Sequence, residues 1–342
     1  MNKNYKYLFL ALAASLALSC AKDSSLSTGE IAKQYLEAWM NEFYPGLTPE
    51  KSGIYILEDT PGDGAAWDSS LGYTYAETTI RFISGEISST CDENLSKQLG
   101  TYAKGNYYGP KFFATGESSS YAGVDAILEG MKVGGTRTAI VPSWLTTTSR
   151  YSTQDEYIKK STGTSTLIYT IKLHGQTKDI GTFQKDSIRN YVNRVFSPSV
   201  NPSTFDSSIE KDGTFWFITD SSAFAGKTKF ARDTMITMNY TGYLLNGQIF
   251  DTTDSKKAKD AGIYDSGKSY SPVTVNYSET YSGIGMNGSD SLIDGFKGAL
   301  SLMYWVGQKG TAIFISDLGY TNSGSGYIIP PYSPLCFELE LL

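Results

Sequence analysis

The sequence predicts an α+β protein of two domains, each an antiparallel sheet curled around a short helix. Three observations carry that reading. One order of elements occurs twice: an amphipathic helix, two prolines that break it, a glycine, then an aromatic strand. Both halves end on an alternating segment, Ser165-Thr-Leu-Ile-Tyr-Thr-Ile-Lys-Leu173 and Ser333-Pro-Leu-Cys-Phe-Glu-Leu-Glu-Leu341. Finally, 342 residues supply enough chain for two cores.

The first element is not fold. Met1-Asn-Lys-Asn-Tyr-Lys-Tyr7 is basic, and Leu8 to Leu18 is an apolar run of about 11 residues, right for a signal-peptide core and too short to span a bilayer. The run ends in Leu16-Ala-Leu-Ser-Cys20, which looks like a bacterial lipoprotein cleavage site with Cys20 as the acylated residue. The alternative is an ordinary cleaved signal peptide in which Cys20 is incidental. The first reading makes residues 1–19 a signal peptide and 20–30 a flexible tether, and it places the chain on the cell envelope, held to the membrane by lipid.

Residues 31–180 form the first expected domain. Ser27 and Glu30 fit a capping box, and Ile31, Tyr35, Trp39 and Phe43 recur at helical spacing until Pro45 and Pro49. A strand, Gly53-Ile-Tyr-Ile-Leu-Glu58, and a turn, Thr60-Pro-Gly-Asp-Gly64, come next. Arg137 to Val141 alternates ahead of the closing strand. The second domain, 181–342, opens on a shorter helix, Asp186 to Phe196, then Pro198, Pro202 and the strand Asp212-Gly-Thr-Phe-Trp-Phe-Ile218. Long Ser/Thr/Gly/Tyr-rich stretches, Asp92 to Tyr121, Thr146 to Thr164 and Thr252 to Ser291, exceed ordinary loops and call for small ordered elements or a partner-facing lobe.

Composition excludes several functions. A net charge of −6 without a Lys/Arg cluster argues against nucleic acid as a partner. His174 stands alone at a strand end and no Cys/His grouping suits zinc, so neither a metal nor a cofactor is expected. Gly283-Ile-Gly-Met-Asn-Gly288 lacks the strand-to-helix setting of a dinucleotide loop. Asp251, Asp254 and Asp290 lack calcium-loop spacing. Cys91, in a polar turn region, and Cys336, on the last strand, lie in different halves, so stability is assigned to packing rather than a disulfide.

Four segments in register carry a family likeness: Tyr240-Thr-Gly-Tyr-Leu-Leu-Asn-Gly-Gln-Ile-Phe-Asp251, Leu292-Ile-Asp-Gly-Phe296, Val306-Gly-Gln-Lys-Gly-Thr-Ala-Ile-Phe-Ile315, and Gly319 to Leu342. Together they resemble the FKBP family of peptidyl-prolyl cis-trans isomerases. The resemblance implies two FKBP-like domains with long insertions. It puts Tyr240, Phe250 and Asp251 on pocket positions, with the Tyr240 hydroxyl and the Asp251 carboxylate holding one another. Leu292 and Ile293 line the pocket, and the Ile293 N–H donates to a ligand carbonyl. Phe296 is its floor, Tyr320 a hydroxyl donor, Ile328 and Ile329 the adjoining loop, and Phe337 the aromatic of the last strand. Where the family places two phenylalanines, this chain has Pro272-Val-Thr-Val275, and the span from Asp251 to Leu292 is longer. The first half aligns with Thr78 opposite Tyr240, Ser88 opposite Phe250, Ser89 opposite Asp251 and Thr147 opposite Tyr320, so its pocket reads as degenerate.

Rotation about an X-Pro amide requires no bond cleavage, only preferential binding of the twisted amide by apolar walls and fixed donors. A chain with 13% aromatic residues and one histidine suits that chemistry. The expected function is prolyl isomerisation of extracytoplasmic, proline-containing polypeptides by the second domain alone. The rival reading is a non-catalytic FKBP-like binding or scaffold lipoprotein. Oligomeric state is left open by the sequence.

Overall fold

In the computed structural model, the described residues are 26–116, 119–163, 165–196, 213–219, 226–278, 280–288 and 291–342. The signal-peptide reading, Cys20 and most of the tether lie outside them, as do Pro198, Pro202, Asp212 and Asp290.

The capping box closes as expected: the Ser27 hydroxyl accepts from the Glu30 N–H at 3.2 Å, and the Glu30 carboxylate accepts from the Ser27 N–H at 2.7 Å. This starts helix α1 at Thr28–Phe43, so residues 28–30 belong to its first turn rather than to a tether. The buried face differs from the expected one. Leu36 and Met40 are buried, whereas Ile31, Tyr35 and Phe43 are 52–59% exposed; of the expected stripe only Trp39 packs on the core.

The first sheet contains β1 (Tyr55–Thr60), β2 (Tyr73–Phe82), β3 (Ile87–Thr90), β4 (Lys111–Ala114), β5 (Thr136–Val141) and β6 (Leu167–Thr177). Its order is β1-β5-β6-β2-β3, with β4 also on β2, and every pairing is antiparallel. Helices α2 (Glu93–Gln98), α3 (Ala122–Leu128) and α4 (Gln154–Lys160) are interspersed. Val124, Ile127 and Leu128 of α3 meet Ile140, Ile171 and Leu173 in the core. Arg137, buried on β5, donates to the carbonyls of Ile127 and Glu129 at 2.7 and 2.8 Å and pairs with Asp59, so its charge sits at the C-terminal end of α3.

Helix α5 (Ile180–Phe196) begins earlier than expected and is the longer of the two leading helices, at 17 residues against 16. The cause is local: the Asp179 carboxylate accepts from the N–H of Thr182 at 2.9 Å and from its hydroxyl at 2.7 Å, a cap that the expected start at Asp186 ignored. Ile188 and Val192 of α5 pack on Trp216, Ile313 and Ile315.

The second sheet comprises β7 (Phe215–Thr219), β8 (Thr234–Leu244), β9 (Ile249–Thr252), β10 (Val273–Tyr277), β11 (Gly285–Met286), β12 (Lys309–Phe314) and β13 (Leu335–Leu341). Its order is β11-β10-β8-β13-β12-β7, with β9 also on β8. Strand by strand, β7-β12-β13-β8 retraces β1-β5-β6-β2. Helix α6 (Ser255–Ala261) follows β9, and α7 (Asp294–Ser301) packs inside the curl through Phe296, Ala299 and Leu300. Each half is thus an α+β domain, an antiparallel sheet folded around a short helix.

Residues 92–108 after β3 and 254–270 after β9 are built alike. Asp92 caps α2 and Asp254 caps α6. Gly100 and Gly262 then turn the chain at φ +70° and +75°, a conformation that suits glycine. Tyr102 stacks on Tyr108 with ring centres 5.5 Å apart, and Tyr264 stacks on Tyr270 at 5.1 Å. The Tyr108 hydroxyl accepts from the Ala103 N–H at 3.0 Å, and the Tyr270 hydroxyl from the Asp265 N–H at 2.8 Å. Each segment holds small ordered elements, a capped helix followed by a tyrosine staple that leads to the next strand.

Candidate functional site

The site forms where β8, β9, β13, α7 and the loop 319–332 meet. Tyr240 is buried on β8, and its hydroxyl donates to Oδ2 of Asp251 at 2.7 Å. The other carboxylate oxygen of Asp251 accepts from the Thr252 N–H at 2.8 Å and pairs with the Lys268 ammonium. Burial first, then the Asp251 charge, raises the pKa of Tyr240 well above the ordinary phenol range, so the phenol stays protonated.

Beneath this pair lies an aromatic floor. Phe296 and Phe337 meet edge to face at 5.0 Å, Tyr240 and Phe296 at 5.6 Å, and Phe250 and Phe337 at 5.3 Å. Phe314 stacks under Phe337 at 5.8 Å. Two glycines allow the approach. A Cβ on Gly242 would meet the Phe250 ring at 2.5 Å, and one on Gly295 would meet the Phe314 ring at 2.4 Å. Ile329 is buried against the same cluster, while Leu292, Ile293, Tyr320 and Ile328 are half-buried against it.

Nine of the ten expected site residues therefore lie in or against one hydrophobic cluster, and the tenth, Asp251, is bonded to Tyr240 of that cluster. The Ile293 carbonyl accepts from the Phe296 and Lys297 N–H groups, which makes it the N-cap of α7. Its own N–H, and the Tyr320 hydroxyl, have no protein hydrogen-bond partner among the described residues. Burial, then the Asp251 charge, raises the pKa of Tyr320 above the ordinary phenol value. The arrangement offers an apolar floor, one fixed ion-paired carboxylate and two unpartnered donors. It can bind a neutral amide but holds no nucleophile paired with a base.

Sequence reasoning missed Lys268, Gly242 and Phe314. An isolated glycine inside strand β8 was the available signal for close ring approach. Lys268 had none, since only the stapled loop after α6 brings it to Asp251. Val273 and Val275, on β10, stand where wall aromatics were expected; Val275 is wholly buried in the second core, and Val273 packs against it.

The first domain lacks this constellation. Ser88 and Ser89 are exposed, and the Thr147 carbonyl accepts from the Ala122 N–H at 2.9 Å. Thr78 bonds through its backbone to the Cys91 thiol, at 2.9 Å from its N–H and 3.2 Å to its carbonyl. Cys91 is accordingly buried and not in an open turn; it and Cys336 are free thiols. His174 lies within β6, not at its end, half-buried and 3.1 Å from Glu77.

An aromatic cluster inside a curled antiparallel sheet defines an α+β class of domain, and sequence comparison narrows it. Residues 273–342 match the family model described as FKBP-type peptidyl-prolyl cis-trans isomerase. An FK506-binding protein of Neisseria meningitidis serogroup B is 32% identical over 109 residues, covering 31% of this chain and 76% of that protein. The macrophage infectivity potentiator of Trypanosoma cruzi is 32% identical over 118 residues, covering 34% of this chain and 47% of that protein. Among solved structures, FkpA from Escherichia coli is 21% identical with a TM-score of 0.30, covering 47% of this chain and 59% of that one. The chain belongs to the FKBP-type peptidyl-prolyl cis-trans isomerase family. It spans about half the length of the trypanosome relative.

Proposed function

We propose that the second domain is a prolyl isomerase acting on X-Pro bonds of extracytoplasmic polypeptides, carried on the cell envelope by lipid at Cys20. The first domain, without the Tyr–Asp pair, is its non-catalytic companion. Partial double-bond character sets a barrier of about 18–20 kcal/mol to rotation about the C–N bond. The twisted amide has lost that resonance and is less polar at nitrogen. A dry apolar floor favours it over the planar forms, provided that donors stand where its flanking carbonyls come to rest. Phe296, Phe337 and Phe250 supply the floor. Tyr320 Oη–H and Ile293 N–H supply the donors, and Asp251, held by Tyr240 and Lys268, orients the rim. No proton is transferred. Each ~1.4 kcal/mol of preference for the twisted amide speeds exchange about tenfold.

The observation that carries this reading is the pair of unpartnered donors above an aromatic floor. The decisive experiment measures cis-to-trans exchange in an apolar-X-Pro tetrapeptide with the full mature chain. Acceleration that falls in Tyr320→Phe and Asp251→Ala but survives changes at Ser89 and Thr147 supports the proposal; no acceleration leaves the binding-scaffold reading. Fatty-acid labelling of expressing cells, lost in Cys20→Ala, tests the anchor.

A further inference from the structure

The loop that carries Tyr320, Ile328 and Ile329 is gripped from outside by the other half of the chain. The Tyr107 N–H, in the stapled loop after α2, donates to the Tyr327 carbonyl at 2.8 Å. Two residues earlier, the Gly105 carbonyl accepts from Gln248 Nε2 at 2.8 Å, in the turn that leads into Phe250 and Asp251. Gly105 is so close to the second domain that a Cβ on it would meet Ile263 Cγ2 at 2.7 Å. The Tyr107 hydroxyl donates to the Pro110 carbonyl at 2.9 Å, which fixes the ring; the half-buried ring packs on the second core. With Pro330, Pro331 and Tyr332 it lines a cleft of about 190 Å³. A second contact lies further along the loop, where Tyr73 of β2 meets Tyr332 edge to face at 5.4 Å.

We propose that Tyr107 is a positioning residue for the site in the second domain: it holds the 319–332 loop, and through it Tyr320, Ile328 and Ile329, in the binding geometry. The loop has little regular structure of its own. Its internal ties are backbone bonds within the loop itself: the Gly324 N–H to the Tyr320 carbonyl at 3.0 Å, the Ser325 N–H to the Ile329 carbonyl at 2.8 Å, the Ile328 and Ile329 N–H groups to the Ser325 carbonyl at 3.2 and 3.1 Å, and the Tyr332 N–H to the Thr321 carbonyl at 2.9 Å. Such a segment opens locally at low cost unless it is braced. The first domain, lacking the Tyr–Asp pair, thereby has a use in the activity of the second. The catalytic arm of this inference rests on the isomerase reading above; the structural arm does not.

The test uses the full mature chain in four forms: wild type, Tyr107→Phe, Tyr107→Ala and Gly105→Val. Amide hydrogen exchange is read at Ile328 and Ile329, with β6 and β13 amides as controls, alongside kcat and KM for an X-Pro peptide. Tyr107→Ala and Gly105→Val are expected to raise exchange at Ile328 and Ile329 about tenfold over the control strands. They also raise KM more than they lower kcat, and Tyr107→Phe restores both readouts. Unchanged exchange at Ile328 and Ile329 in Tyr107→Ala, an equal rise in β13, or failure of Tyr107→Phe to rescue would overturn the proposal. Absence of isomerase activity in the wild type would sink the functional reading, while the exchange measurement would still decide the bracing role.

Discussion

The Tyr240 hydroxyl and the Asp251 carboxylate, on adjacent strands of one hairpin, bond at 2.7 Å, and Lys268 takes the carboxylate from the far side. The strands set this geometry: β8 and β9 pair Gly242 with Asp251 and Thr241 with Thr252, and the Thr241 and Thr252 hydroxyls meet at 3.0 Å. Asp251→Ala leaves a buried phenol without its acceptor, which costs about 1–3 kcal/mol. Tyr240→Phe removes the donor yet leaves the carboxylate its other two partners, so it costs less. The double variant is expected to show a coupling of at least ~0.5 kcal/mol by urea unfolding. Strictly additive losses would mean that the bond contributes nothing.

Gly242 sits between the Phe250 and Phe337 rings, where a Cβ has no room. Gly242→Ala should destabilise the protein by about 1–3 kcal/mol, because the rings must leave their rotamers. Isomerase activity should fall further than stability alone explains, since the displaced rings are the pocket floor. Gly247→Ala is the control: it lies in the hairpin turn with open space around it, so its cost is that of its positive φ alone and the floor is untouched.

Patterns that depend on neighbours in sequence were legible. Ser27 and Glu30 announced α1, and the alternation of Leu335, Phe337 and Leu339 announced β13. The site residues were legible only through family likeness, because a binding pocket built from Tyr240, Phe296 and Phe337 looks like any core until the chain folds. The face of α1 was misread because aromatics at every fourth position mimic a core stripe. Its actual core face is Leu36 and Met40, and at Gly29 an added Cβ would meet the Ile158 carbonyl at 1.8 Å. The likeness of residues 92–108 to 254–270 escaped notice because it rests on a few capping, turn and stapling residues amid unrelated neighbours. Lys268 and Tyr107 were illegible for a plainer reason: each acts on a partner brought near only by tertiary folding.

A site that works without proton transfer has a pH signature. Burial and the Asp251 charge raise both Tyr240 and Tyr320 above the ordinary 10.0, so both phenols stay neutral wherever an unperturbed tyrosine would. In stability terms the raised phenols cost nothing below pH 10.0 and favour unfolding only above it, where the unfolded tyrosines ionise first. The expected kcat/KM is therefore flat between about pH 6 and pH 9. Tyr320→Phe should lower it by the same factor at every pH. A bell-shaped profile that disappears in Tyr320→Phe would instead make Tyr320 an acid or base.

Lys111, on β4 beside the cleft, is half-buried, has no ion-pair partner among the described residues, and has its pKa lowered from 10.5 by burial. The sign of the linkage follows. Between the lowered folded value and 10.5 the unfolded chain binds the proton more tightly, so stability rises with pH through that window. Below the window the full cost of burying the ammonium is present. Lys111→Met keeps the length of the stem and removes the charge. It should raise Tm at neutral pH, and the gap to wild type should narrow through that window and close as the pH passes 10.5, where the wild-type lysine is neutral in both states. The stabilisation is a matter of charge and not of shape, so Lys111→Arg, which cannot shed its proton, should lower Tm and show no such closure. A gap between Lys111→Met and wild type that stays constant with pH would assign the effect to packing in the cleft instead.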